Sequence, residues 1–109
     1  MEWQIVGRNL IVRLHGELDL VNAGRFRQAV DEILDRGRAS NLYVNLSGVT
    51  FMDSSFLGAL LGRYRRIEQA GGRMGLIATP GPLRPTLEIS GLLRTMPGYR
   101  TEEEALAAG

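Results

Sequence analysis

The sequence predicts a small α/β sandwich, and three observations carry that reading. Leu42, Val44 and Leu46 alternate with Tyr43 and Asn45 at the period of a pleated strand, and a little further on Leu57, Leu60, Leu61, Tyr64 and Ile67 recur at the spacing of one helical face. In an earlier strand Leu10, Val12, Leu14 and Leu18 share one face while Arg13, His15 and Glu17 share the other, so the sheet is wet on one side and the helices cover mainly the other. The element order β-β-α-β-α-β-α-(β)-α closes as a mixed sheet of four to five strands, with an antiparallel first hairpin and parallel, right-handed crossovers after it.

Taken in order, Trp3 to Val6 is a short apolar strand, and Gly7-Arg8-Asn9 turns it into the strand from Leu10 to Leu18. Asp19 to Asn22 supplies capping residues, after which Phe26, Val30, Ile33 and Leu34 form a helical stripe ending near Gly37, with a charged, solvated outer face. The central strand follows, and the pattern switches to helical between Val49 and Ser54. Gly71-Gly72 ends that second helix, and Met74 to Ala78 is a short buried strand. Thr79-Pro80-Gly81-Pro82 is a loop. Pro85 pushes Arg84 out of the helical region and delays a third helix, in which Leu83, Leu87 and Ile89 face inward and Gly91 is the stop. Leu93 to Met96 is read as a last edge strand before Pro97-Gly98, and Thr101-Glu102-Glu103-Glu104 is a capping box that opens a short final helix.

Composition excludes several classes of function. The 109 residues, 44% of them hydrophobic, form one domain, residues 1–109, with core enough to fold without staples. Without cysteine there are no disulfides, thiolate metal sites or thiol chemistry, and the default compartment is the cytoplasm. No basic leader precedes an apolar segment, and no apolar run approaches the ~18 residues of a membrane helix, so no membrane partner is expected. All 13 basic residues are arginine, which removes lysine general bases and lysine phosphate sites, and a net charge of +1 does not make a nucleic-acid-binding domain.

Asp53 stands at the N-cap of the second helix, with Ser54 and Ser55 in its first turn beside amides that have no partner inside the helix, a ready anion site. Gly58 and Gly62 each cost that helix about 0.8–1 kcal/mol relative to alanine, and either close packing on the sheet or close approach of a partner's backbone would account for them. Phe56 falls outside the Leu57-Leu60-Leu61-Tyr64 stripe and is expected to be substantially exposed and to anchor a partner. Arg63, Tyr64, Arg65 and Arg66 form the one basic cluster, either a solvated face or part of a recognition surface. His15, the sole histidine, lies on the wet face without metal co-ligands. No enzymatic constellation assembles. Ser54 lacks the glycines of a nucleophile elbow, no stretch matches a dinucleotide or Walker loop, and a receiver domain phosphorylated on Asp53 would need a lysine.

Phe51-Met52-Asp53-Ser54-Ser55, followed by Leu57-Gly58 and Leu61-Gly62-Arg63-Tyr64, resembles the core motif of STAS-domain anti-sigma-factor antagonists, the sporulation-type anti-anti-sigma factors. Gly16-Glu17-Leu18-Asp19, Gly71-Gly72 and Ser90-Gly91-Leu92 fall in the same order, so the resemblance spans roughly the whole chain; the departure is Phe56, where the family usually has glycine. The resemblance implies a STAS-like fold and a phosphorylation site at Ser54. It also implies a partner surface comprising Asp19, Leu20 and Asn22 together with Asp53, Ser54, Ser55, Phe56, Gly58 and Arg63. The implied partner is an anti-sigma factor that is also a serine kinase and carries the ATP, with a metal-dependent serine phosphatase resetting the switch in sporulation or stress response. The protein itself would bind no cofactor and catalyse nothing. The alternative within the same fold is a scaffold or regulatory subunit of a signalling complex or transporter, without reversible phosphorylation.

Overall fold

Gly7 takes a φ of 62°, which a side chain would resist, and this lets the chain reverse in two residues between strands β1 (Glu2–Val6) and β2 (Asn9–Leu18). A computed structural model describes residues 1–108, and among these β1 pairs antiparallel with β2 from Val6↔Asn9 to Glu2↔Arg13. Helix α1 (Leu20–Asp35) then crosses to strand β3 (Asn41–Met52), parallel to β2, and helix α2 (Ser54–Gln69) crosses to strand β4 (Met74–Ile77), parallel to β3. Beyond β4 come a single 3-10 turn at Gly81–Leu83, helix α3 (Arg84–Ser90), helix α4 (Leu92–Thr95), strand β5 (Gly98–Tyr99) and helix α5 (Glu102–Ala108). The five strands lie in the sheet in chain order, β1-β2-β3-β4-β5.

The pairing of β2 with β3 is not uniform. It runs from Asn9↔Asn41 to Arg13↔Asn45, slips one residue before His15↔Gly48, and slips another before Glu17↔Phe51. Gly16, with a φ of 78°, lies in the irregular stretch, and a side chain at Gly48 would bring its Cβ within 2.8 Å of the His15 Cβ. Two slips restore the alternation that one would invert, so Leu18 and Met52 end side by side with both side chains buried.

The main core lies between the sheet and α1 to α4. Leu10, Val12, Leu14, Leu42, Val44, Leu46, Met74 and Leu76 meet Phe26 and Val30 of α1, Phe56 and Leu60 of α2, and Leu87 and Leu92 from the later helices. The opposite face is not simply wet. Tyr43 and Ile77 are buried there against Ala105 of α5 with Tyr99 beside them, and Tyr43 and Tyr99 meet edge-on at 5.9 Å. The polar reading of Tyr43 is thereby corrected: α5 covers that part of the sheet, held by Glu102, which accepts hydrogen bonds from Arg13 Nε and Nη2 at 2.7 Å and from Asn45 Nδ2 at 2.8 Å. The helices are mainly on one face, with α5 the exception.

The C-terminal third departs most from expectation. Arg84 is helical, at φ −56° and ψ −45°, because Pro85 sits in the first turn of α3, where its missing N–H costs nothing. Leu83 and Leu87 face inward as expected, but Ile89 is 87% exposed. The residues read as an edge strand, Leu93 to Met96, fall in and just after α4, and the strand comes later, at Gly98–Tyr99, through parallel pairing to Leu76 and Ile77. Gly91 does stop α3, at a φ of 80°, and Thr101 does cap α5, its hydroxyl accepting from the Glu104 amide at 3.1 Å.

Candidate functional site

The register of β2 with β3 decides where the two helix starts lie. Leu18 pairs with Met52, and the Asp53 amide donates to the Leu18 carbonyl at 3.0 Å, so the next residues along each strand, Asp19 and Asp53, leave the sheet side by side. Each caps its own helix. Asp19 Oδ1 accepts from the Asn22 amide at 3.1 Å while Asn22 Oδ1 accepts from the Asp19 amide at 3.2 Å, a reciprocal capping box. Asp53 Oδ1 accepts from the Phe56 amide at 3.0 Å. Two parallel helices therefore present their positive ends at one place, with a carboxylate on each.

Ser54 is the first residue of α2 and is exposed, whereas Ser55 is half-buried behind it. Leu20 at 65% exposure, Val21 at 61% and Phe51 at 52% are large apolar residues left uncovered on the same end of the sheet. Together with Glu17, which is exposed and pairs with Phe51, they give an apolar patch edged by carboxylates around a free hydroxyl. Val21 did not stand out in the sequence as a site residue, nor Phe51 as an exposed one. The usable signal is that both precede or enter a helix at a position the buried stripe does not claim.

Gly58 belongs to this surface. It is exposed, and a Cβ there or at Gly62 would meet nothing within 4 Å, so packing against the sheet is not the reason for glycine at either position. Phe56 does not belong to it. The expectation of an exposed anchor is corrected: Phe56 is 0% exposed, its ring 5.1 Å from that of Phe26 on α1. The apolar arc of α2 runs through Phe56, Ala59, Leu60 and Ile67, because the helix packs on α1 as well as on the sheet, and this rotates the buried face by one position from the Leu57-Leu61-Tyr64 stripe.

Arg63 also lies elsewhere. It falls within that buried arc, its side chain 14% exposed, with Nε 3.2 Å from Asp31 Oδ1 of α1. The approach misses the hydrogen-bond direction, and Nε and Nη1 are buried without a hydrogen-bond partner. Arg66 also reaches Asp31, at 3.3 Å, and pairs with Asp35, so two members of the basic cluster tie α1 to α2 rather than facing outward. No helix of the described residues is long and apolar enough to cross a membrane.

Comparison with known proteins agrees with this geometry. The profile of the STAS domain matches residues 1–105. The anti-sigma F factor antagonist of Paenibacillus polymyxa is 42% identical over 97 residues, covering 89% of this chain and 83% of its own. The crystal structure of TM1081 from Thermotoga maritima superposes with a TM-score of 0.90 at 29% identity, covering 98% of this chain and 92% of that one. The Bacillus cell fate determinant SpoIIAA, solved in its phosphorylated form, gives a TM-score of 0.81 at 30% identity, with 98% of this chain and 96% of that one covered.

Proposed function

Because the chain belongs to the STAS domain family, we propose that it is an anti-sigma-factor antagonist whose unphosphorylated form captures an anti-sigma factor and whose phosphorylation on Ser54 ends that capture. The observation that carries the proposal is the position of Ser54: exposed, at a helix start, beside the capped start of a second helix and among uncovered Leu20, Val21 and Phe51. A relative named an anti-sigma F factor antagonist and a phosphorylated neighbour of the same fold support the reading.

In this reading the partner docks over Asp19, Leu20, Asn22, Asp53, Ser54, Ser55 and Gly58, and the bare Gly58 lets its backbone come close. Phe56 contributes from beneath by fixing the first turn of α2, and Arg63 by joining α1 to α2. The partner is itself the serine kinase and brings the ATP, a metal-dependent serine phosphatase reverses the step, and the protein catalyses nothing. The setting is the cytoplasm, where a sigma factor is released to RNA polymerase. Phosphate adds about −1.5 to −2 charges at the α2 N-terminus, where free amides and the helix dipole favour an anion, so the helix is not melted. Dissociation follows from new bulk and charge next to Asp53, inside a surface that must be desolvated to dock.

The test is to incubate the protein with a candidate anti-sigma kinase and ATP, locate phosphate by mass spectrometry, and follow the complex by native gel. Phosphate on Ser54 with loss of the complex is expected, and Ser54→Ala should bind and stay bound with ATP present. Phosphate on another residue, or a Ser54→Ala variant released as readily as the parent protein, overturns the proposal.

A further inference from the structure

Strand β5 is two residues long, and its first residue, Gly98, lies opposite Leu76. Met74, at the start of β4, therefore has no strand on its outer side, and a cavity of about 200 Å³ opens there between the last turns of α2 and the end of α4. That is smaller than the ~300–1,000 Å³ of sites for drug-sized ligands. The cavity lies at the end of the sheet away from Ser54, because Met74 pairs with Leu42 near the start of β3 and Ser54 follows the end of β3.

All three tyrosines of the chain, Tyr43, Tyr64 and Tyr99, line this space, Tyr43 and Tyr99 meeting edge-on at 5.9 Å. Glu68 lines it too, one turn along α2 from Tyr64, and holds the Tyr64 phenol above its ordinary value, first through the hydrogen bond between them. The Leu76 amide donates to the Pro97 carbonyl at 2.9 Å, so the backbone groups of Met74, two residues back, point the same way. Pro97 has no N–H, and so the Met74 carbonyl has no donor from that segment of the chain where a longer β5 would supply one. Aromatic faces, a carboxylate, that carbonyl and the negative end of the α2 dipole all favour a positive charge that carries N–H donors. Arg73 also lines the cavity but extends toward α5, its Nη1 3.4 Å from the Ala108 carbonyl.

We infer that this cavity is a binding site for a primary ammonium group, the head of a small protonated amine. A quaternary ammonium would satisfy the rings yet leave the carboxylate and the carbonyl without a donor, and an anionic ligand would face Glu68. The site is separate from the surface around Ser54, so either assignment can fail without the other.

The probe is n-butylammonium chloride, titrated at constant ionic strength into the isotope-labelled full chain and followed by amide shifts. Saturable shifts are expected at Met74, Gly75, Thr95 and Tyr99, with the amides around Ser54 unmoved. Sodium butyrate, of the same length and opposite charge, should shift none of these, and tetramethylammonium should bind more weakly than the primary amine. Glu68→Gln alters an exposed side chain and should leave the fold intact by circular dichroism while weakening the amine roughly two- to fivefold, more at low salt. A capped peptide holding a single lysine separates the two sources of such a group: tighter binding than n-butylammonium assigns the ammonium to a lysine of another chain, and weaker binding assigns it to a free amine. The absence of a saturable shift overturns the proposal, and so does butyrate or tetramethylammonium binding as well as the amine, or a Glu68→Gln variant that binds it unchanged.

Discussion

Phe56 shows how a single side chain can belong to the core while its neighbours belong to the surface. Its amide is the donor that Asp53 caps, and its ring lies against Phe26, so one residue links the start of α2 to the interior of α1. Phe56→Ala should therefore lower stability by about 3–5 kcal/mol, as large-to-small core changes do, read as a drop in the urea midpoint with the m value unchanged. Affinity of the folded fraction for a partner should change far less than stability does. The Asp53 cap and the helix start were legible because a capping residue between a period of two and a period of 3.6 is a local signal. The burial of Phe56 was not, because it depends on Phe26, distant in sequence, and because an arginine in the same arc disguises the stripe.

At the scale of elements, two polar contacts hold helices in place, and each makes a prediction. Asp31 serves both Arg63 and Arg66 across the α1–α2 interface, and Arg63 has buried nitrogens without hydrogen bonds. Removing the acid leaves a cation without its counter-charge, so Asp31→Ala should cost about 1–3 kcal/mol, whereas Arg63→Met, which fills the same space without a charge, should cost less or stabilise. Paired urea titrations decide the order. For α5, the hydrogen bond from Arg13 holds the Glu102 carboxyl below the usual carboxylate range, with Asn45 adding to it and burial opposing. A depressed carboxylate stabilises the fold fully above its unfolded value of about 4.3 and loses that contribution as pH falls through the lower folded value. The Tyr43, Ile77 and Ala105 amides should lose exchange protection in that acid window before the main core opens. Glu102→Gln should show the weakened protection at pH 7 and little change with pH.

These contacts also explain why the last third of the chain was read poorly. Leu93 to Met96 has the composition of an edge strand, yet Leu92 and Met96 are needed against the main core, and a helical turn buries both. Tyr43 and Arg13 sit on a face that looks solvated until α5 arrives from the far end of the sequence.

For the molecule as a whole, the outline of the sheet and its parallel crossovers followed from periodicity, since each strand carries its own alternation. The two slips between β2 and β3 did not, because they go with positive-φ and steric demands at Gly16 and Gly48 that no propensity reports. With two helix starts on a rigid sheet end, phosphorylation of Ser54 should act locally. Amide shifts on phosphorylation are expected around residues 19–22 and 53–58, with β4, β5 and α5 unmoved. Changes that spread to the Tyr43–Ala105 contact would mean a rearrangement of the fold instead.

The strand order β1-β2-β3-β4-β5 has a consequence for synthesis. Every strand pairs with the one made just before it, so none has to be threaded between two already joined, and the sheet can grow outward as the chain leaves the ribosome. Asp19 and Ser54 come together when β3 and the first turns of α2 have emerged, before β4, β5 or α5 exist. The surface proposed to receive the partner is thus among the first parts of the molecule to be assembled, and α5, which covers the opposite face, comes after every strand.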